Sequence, residues 1–217
     1  MMEFIKQPMA IERRSMELIA PYIEGLSLSE AEKKVYSRII HAAGDVEYAP
    51  IIRISETAVE EGIAALRGGA DIYTDVEMVR TGINKRKLAS FGGAVHCRIQ
   101  DPEIAAQAKA QGVTRSLAAM RSFGAALTGS VVAIGNAPTA LFEVLRLVRE
   151  EGVRPACIVG IPVGFVGAAD SKKALAENRL VPYITVEGTK GGSPIAAAAV
   201  NAMLYDCLLY TSPSPRD

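Results

Sequence analysis

Short apolar runs alternate with longer stretches of helical period along most of the chain. The runs fall at residues 71–74, 94–99, 130–134, 156–161 and 183–186, with 51–54 a weaker sixth. Mostly apolar runs of about 4–8 residues fit strands covered on both faces. The helical signals between them are clearer. Ser29 and Glu32 have the spacing of a capping box, opening a helix through Tyr36, Ile39 and Ile40 that Gly44 ends. Residues 56–66 are amphipathic and stop at Gly68-Gly69. Asp101 and Pro102 have the chemistry to open 103–110, and Thr114 to cap 115–127. Asn136 and Pro138 open a stretch with Leu141, Val144, Leu145 and Val148 on one stripe, closed by Gly152, and 194–204 forms the last helix. The alternation predicts an α/β fold in three layers, a mostly parallel sheet of about five or six strands with helices on both faces.

No repeat or linker divides the chain, so residues 1–206 are expected to form a single domain. Residues 207–217 lose the pattern. The closing Ser-Pro-Ser-Pro-Arg-Asp has no apolar period and reads as disordered. It resembles a translated sequencing adapter, so a non-native ending from about Cys207 is expected.

Composition narrows the function classes. Hydrophobic residues make up 49% and charged residues 22%, and Lys+Arg equals Asp+Glu at 24 each. A nucleic-acid binder would carry a basic excess, so no nucleic-acid partner is expected. Cys97, Cys157 and Cys207 have no CxxC spacing, which argues against a disulfide framework or a cysteine zinc site. No apolar run is long enough to span a bilayer and the N-terminus lacks a signal-peptide pattern, so no membrane partner is expected and a cytoplasmic enzyme is the default.

Titratable candidates are few. Of the two histidines, His96 lies inside an apolar run and reads as structural, while His41 sits where the second helix ends. A histidine in a last turn can serve only as a partner of the helix dipole. It can equally act as a proton donor, because the partial negative charge there favours imidazolium. Two histidines without HExxH give no expected metal site, and no GxSxG elbow supports a serine triad. Gly135-Asn136 and Gly191-Gly192 each stand between a strand and a helix. Such places make good anion cradles, yet they are also ordinary strand-to-helix turns. Neither matches GxGxxG or GxxxxGK[ST]. Arg115, at a helix start, offers a planar fork for a carboxylate.

Several longer motifs resemble the precorrin-8X methylmutase family. Residues 129–141, Gly-Ser-Val-Val-Ala-Ile-Gly-Asn-Ala-Pro-Thr-Ala-Leu, are similar to its central motif. So are 160–172, Gly-Ile-Pro-Val-Gly-Phe-Val-Gly-Ala-Ala-Asp-Ser-Lys, with Leu175-Ala176-Glu177-Asn178 after them. The family's Glu-Arg-Ser appears as Arg13-Arg14-Ser15, its helix end as Ile40-His41, and Asp75-Val76-Glu77-Met78-Val79 and Thr114-Arg115-Ser116 also match. The likeness spans about Ile5 to Asn201. It implies an isomerase that moves a methyl group from C-11 to C-12 of a ring-contracted tetrapyrrole, with His41 as proton donor and neither redox cofactor nor methyl donor. It further implies a homodimer with substrate near the subunit interface. The carboxylate arms of that substrate would be met by Arg14, Ser15, Arg115 and the backbone N–H groups at Gly135, Asn136, Gly191 and Gly192. A nucleotide-dependent oxidoreductase and a non-catalytic corrinoid carrier are the competing readings. The first is disfavoured by the missing GxGxxG, and turnover separates the second.

Overall fold

The computed structural model describes residues 5–207. In chain order the elements are α1 (Pro8–Ile19), α2 (Glu30–Ala43), β1 (Ile52–Ile54), α3 (Ala58–Arg67), β2 (Ile72–Thr74), α4 (Glu77–Gly82), α5 (Lys85–Ala89), β3 (Val95–His96), α6 (Pro102–Gln111), α7 (Arg115–Phe123), β4 (Val131–Ile134), α8 (Pro138–Glu150), β5 (Cys157–Gly160), α9 (Ala168–Ala176), β6 (Tyr183–Val186) and α10 (Ser193–Asp206). The six strands form one sheet in the order β1-β6-β5-β4-β2-β3, parallel except where β1 runs against β6. The three-layer α/β expectation holds, with an antiparallel strand on one edge.

Alternation along the strands builds two cores. Val131 and Ala133 of β4 and Cys157 and Val159 of β5 face one side, against α3 and α10. Val132, Ile134 and Ile158 face the other, against Met120 of α7, Leu141 and Val144 of α8, and Leu175 of α9. Burying a Val, Leu or Ile side chain contributes roughly 1.5–3 kcal/mol, so both faces of the central strands stabilise the sheet. On the first side α2 packs over α10, with α1 outside α2.

The capping box of α2 is present. Ser29 Oγ accepts the Glu32 N–H at 3.2 Å, and Glu32 accepts the Ser29 N–H at 2.7 Å. Gly44 ends the helix at φ 62°. Thr114 Oγ1 likewise accepts the Leu117 N–H at 3.2 Å.

Other expectations shift. Asp101 does not cap α6, because its carboxylate is taken by Arg98 at 2.7 Å. The expected strand over 94–99 shrinks to Val95–His96, since Arg98 folds back onto Asp101 and Ser122. The helix over 115–127 breaks at Gly124 (φ 49°, ψ −126°) into a 3₁₀ turn. Helix α10 ends at Asp206. Cys207 closes α10 and is only 1% exposed within the core. The rest of the expected non-native ending, 208–217, lies outside the described residues.

Candidate active site

Parallel strands send their carboxyl ends to one rim, where open α/β sheets bind ligands. Five connections meet there, after β2, β3, β4, β5 and β6, and antiparallel β1 brings a sixth by starting where β6 ends: Ile52 pairs with Val186, and the Glu187 N–H reaches the Ile51 carbonyl at 2.8 Å. The segment leading into β1 follows α2, so the end of α2 is delivered to this rim.

His41 occupies the last turn of α2, as its sequence position indicates. Its side chain is exposed, and its imidazole makes no hydrogen bond, ion pair or ring contact among the described residues. An imidazole free of partners at a helix C-terminus can carry a proton and hand it to a bound molecule. His96 behaves differently. Its Nε2 lies 2.9 Å from the Asp71 carboxylate and its ring stacks on Tyr73, so it is engaged on both face and edge.

Arg115 is the first residue of α7, exposed and without a side-chain partner among the described residues. Its helix is held beside the β4 exit by a 2.7 Å bond between Thr114 and Thr139 of α8. On α1, Ser15 donates to the Ile11 carbonyl at 2.9 Å, and Arg14 pairs with Glu17 at 3.1 Å. The single hydroxyl proton of Ser15 must turn away from Ile11 to meet a ligand.

The glycine turns are a correction. The Gly135, Asn136 and Ala137 N–H groups all donate to the Asp75 carboxylate, at 3.0, 2.9 and 2.7 Å. This cradle is real, but the anion inside it is the chain's own. Burial pushes the fully buried Asp75 carboxyl up, and the three N–H donors oppose that shift. The Gly192 N–H donates to the Ile161 carbonyl at 2.9 Å, and the Gly191 N–H to the Tyr48 hydroxyl. None of the four glycine-turn positions named from sequence offers a free N–H to a substrate. Asn136 keeps only an exposed side chain for that purpose.

Two further features are not evident in the sequence pattern. A cavity of about 450 Å³ opens between α1, the first half of α2 and the end of α10, away from the rim, lined among others by Glu12, Lys34, Arg38 and Asp206. Arg38 is braced across this cavity by Glu12, at 2.5 Å. After β5, Phe165 and Val166 stand 95% and 89% exposed, beside half-exposed Phe142 and Val163. Large apolar groups left in water in this way mark a binding surface. No group of three or more His, Cys, Asp or Glu side chains is placed to hold a metal ion among the described residues. Burial pushes the Cys97 thiol up to about 11 and raises Cys157 as well, so neither offers a thiolate near neutrality. No helix among the described residues is long and apolar enough to cross a membrane.

Comparison with known proteins covers nearly the whole fold. The precorrin-8X methylmutase family profile matches residues 10–206. A precorrin-8X methylmutase of Sinorhizobium is 44% identical over 93% of this chain and 96% of its own. A cobalt-precorrin-8 methylmutase of Methanocaldococcus jannaschii is 40% identical over 92% and 94%. Among solved structures, a precorrin-8X methylmutase of Thermus thermophilus superposes with a TM-score of 0.83 at 39% identity, covering 92% of this chain and 96% of that one.

Proposed function

The chain belongs to the precorrin-8X methylmutase family, and from that premise we propose that His41 is the proton donor of its isomerisation. The enzyme converts precorrin-8X to hydrogenobyrinate, or its cobalt-bearing counterpart to cobyrinate, in cobalamin biosynthesis. A methyl group leaves C-11 and joins C-12 of the same macrocycle, so no atom is gained or lost. Protonating the macrocycle makes the acceptor carbon more electron-poor and lowers the barrier, and the proton returns once the methyl has moved. The carrying observation is the imidazole of His41: exposed, unpartnered among the described residues, and delivered to the strand rim by the end of α2.

Binding follows from the same surface. Arg115 offers a free guanidinium suited to a carboxylate arm, with Ser15 and Arg14 contributing from α1. The apolar loop at Phe165 and Val166 suits the flat body of a tetrapyrrole or a second subunit. Exposed Met9, Leu18 and Tyr22 on and after α1 add to the apolar surface that a cytoplasmic homodimer would cover. Sedimentation at micromolar concentration tests the dimer, and a monomer alone would refute it.

The decisive variant is His41→Asn, which keeps approximate shape but cannot donate a proton at neutral pH. General acid catalysis supplies about 10²–10⁴-fold, or about 3–5 kcal/mol of barrier. The variant is expected to fold, to bind tetrapyrrole with unchanged stoichiometry, and to turn over at least about a hundredfold more slowly. Near-normal turnover would return the proton to solvent or another side chain. Following the visible spectrum of precorrin-8X reports the rate, and the same assay with wild type excludes a mere carrier.

A further inference from the structure

Among the described residues four charged side chains are buried: Asp75, Glu143, Lys172 and Asp206. The three acids each have charge-compensating or multiple donors, namely backbone N–H groups, two arginines and Lys34. Lys172, on α9, is the exception. It is 1% exposed and meets no carboxylate within ion-pair distance among the described residues, and its ammonium donates to one backbone carbonyl, that of Lys190. Burial lowers its pKa to about 8. A buried cation held by a single carbonyl is costly, and an apolar side chain of similar length would fill the space more easily.

What the carbonyl belongs to is the informative part. The ammonium of Lys190 reaches back to the segment after α2, bonding Asp45 at 2.7 Å and Glu47 at 2.8 Å. It also lies over the Tyr48 ring, 5.5 Å from the centroid. Asp45 is one residue past the Gly44 cap, and its own N–H bonds the Ile40 carbonyl at 3.4 Å. The Gly44 N–H in turn bonds the His41 carbonyl at 3.2 Å. The loop that carries Lys190 is itself wedged. A Cβ on Gly191 would lie 2.6 Å from the Ile161 carbonyl oxygen, and φ there is +153°. The Gly164 N–H bonds the Thr189 carbonyl at 3.1 Å.

On the reading that His41 is the proton donor, we propose that Lys190 is the positioning residue that fixes the end of α2 against the sheet rim, and that Lys172 locks Lys190 from below. The chain of contacts runs from α9 through the β6–α10 loop to the turn that ends at His41. Lys190 acts through that turn and not on the substrate, because two carboxylates already share its ammonium. Displacing a reacting group by about 1 Å can lower a rate by about a hundredfold.

The test is a double-mutant cycle with precorrin-8X as substrate. Lys190→Met should lower kcat by roughly ten- to a hundredfold with KM changed by no more than about twofold, as expected when only the transition state is affected. Lys190→Arg, which keeps the ion pairs, should recover most of the rate. Lys172→Met should lower kcat in the same sense by a smaller factor. In a His41→Asn background, Lys190→Met should have almost no further effect, since residues acting as a unit are non-additive. Asp45→Asn combined with Glu47→Gln breaks the same contacts from the other side and serves if Lys190→Met does not fold. Wild-type kcat in Lys190→Met, a change confined to KM, or an undiminished loss in the His41→Asn background would each overturn the positioning role. Normal turnover by His41→Asn alone would instead remove the reading of His41, and this proposal with it.

Discussion

Glu143→Gln removes one negative charge and leaves the shape of the side chain almost unchanged. Glu143 lies on α8, 4% exposed at its side chain, where it receives Arg121 at 2.9 and 3.1 Å and Arg146 at 3.0 and 2.7 Å. Three of these four contacts fall on Oε1 and one on Oε2. A glutamine that keeps its oxygen at the Oε1 position loses the Oε2 bond and turns its amide donors toward the Arg121 guanidinium. A hydrogen bond to a charged group contributes about 1.5–3 kcal/mol. Arg121 is 39% exposed and recovers part of that from water, so a net loss of about 2 kcal/mol is expected. That is roughly thirtyfold in the folding equilibrium and about 4–8 °C in Tm for a chain of this size. Urea titration should show a lower midpoint at unchanged slope. The pH dependence gives a second check. Burial alone would push Glu143 up, but its bonds to Arg121 and Arg146 outweigh this and hold its pKa below the ordinary value. With the folded value below the unfolded one, near 4.3, the stabilisation is complete above that range and is lost as pH falls through the folded value. Wild type and variant should therefore converge as pH falls below the unfolded value and through the folded one. Equal midpoints at pH 7, or a gap that persists undiminished into acid, would refute the reasoning.

Arg115→Ala should weaken hydrogenobyrinate binding by about tenfold or more, read by isothermal titration; an unchanged Kd removes Arg115 from the site. Gly135→Ala places a Cβ 2.6 Å from the Ser193 Cα and 2.7 Å from Val79, so α10 or α4 must move. A loss of about 1–3 kcal/mol in urea is expected, and a neutral result would mean that the helices yield freely. Truncation after Cys207 should preserve Tm and turnover, while removing Cys207 as well should lower Tm by emptying its place under Ile63. A loss of turnover on the first truncation would show that the ending contributes to the enzyme.

The central strands and α2 were legible because each followed one strong rule. The β4 and β5 runs are apolar on both faces, and α2 carries both halves of its capping box. The missed helices lack such signals. α1 starts after Gln7 with no side-chain cap, and its exposed Met9, Ile11 and Leu18 blur any single apolar stripe. α4 and α5 are too short for a stripe to repeat. α9 hides for a different reason, since a lysine occupies the position where an apolar residue would complete its buried face. At the site, His41 and Arg115 could be named from sequence because helix ends declare themselves. The glycine turns misled because local sequence marks a cradle without showing what fills it. Asp75 lies about sixty residues away, and only the parallel pairing of β2 with β4 brings its carboxylate there. The tie from Lys190 to Asp45 likewise spans 145 residues and has no local trace.

The sheet ends on strands of three residues in β1 and two in β3. On the β1 side the outward carbonyl of Ile52 is already claimed. Arg53 donates to the Pro50 and Ile52 carbonyls at 2.8 Å each, and the Tyr36 hydroxyl reaches the Ile52 carbonyl at 3.2 Å. A row of open backbone groups on an outer strand is what templates aggregation between neighbouring molecules. Here one border is too brief to extend, and on the other the Ile52 carbonyl is already held by a guanidinium and a phenol, so neither edge offers a long open backbone for another molecule to pair with.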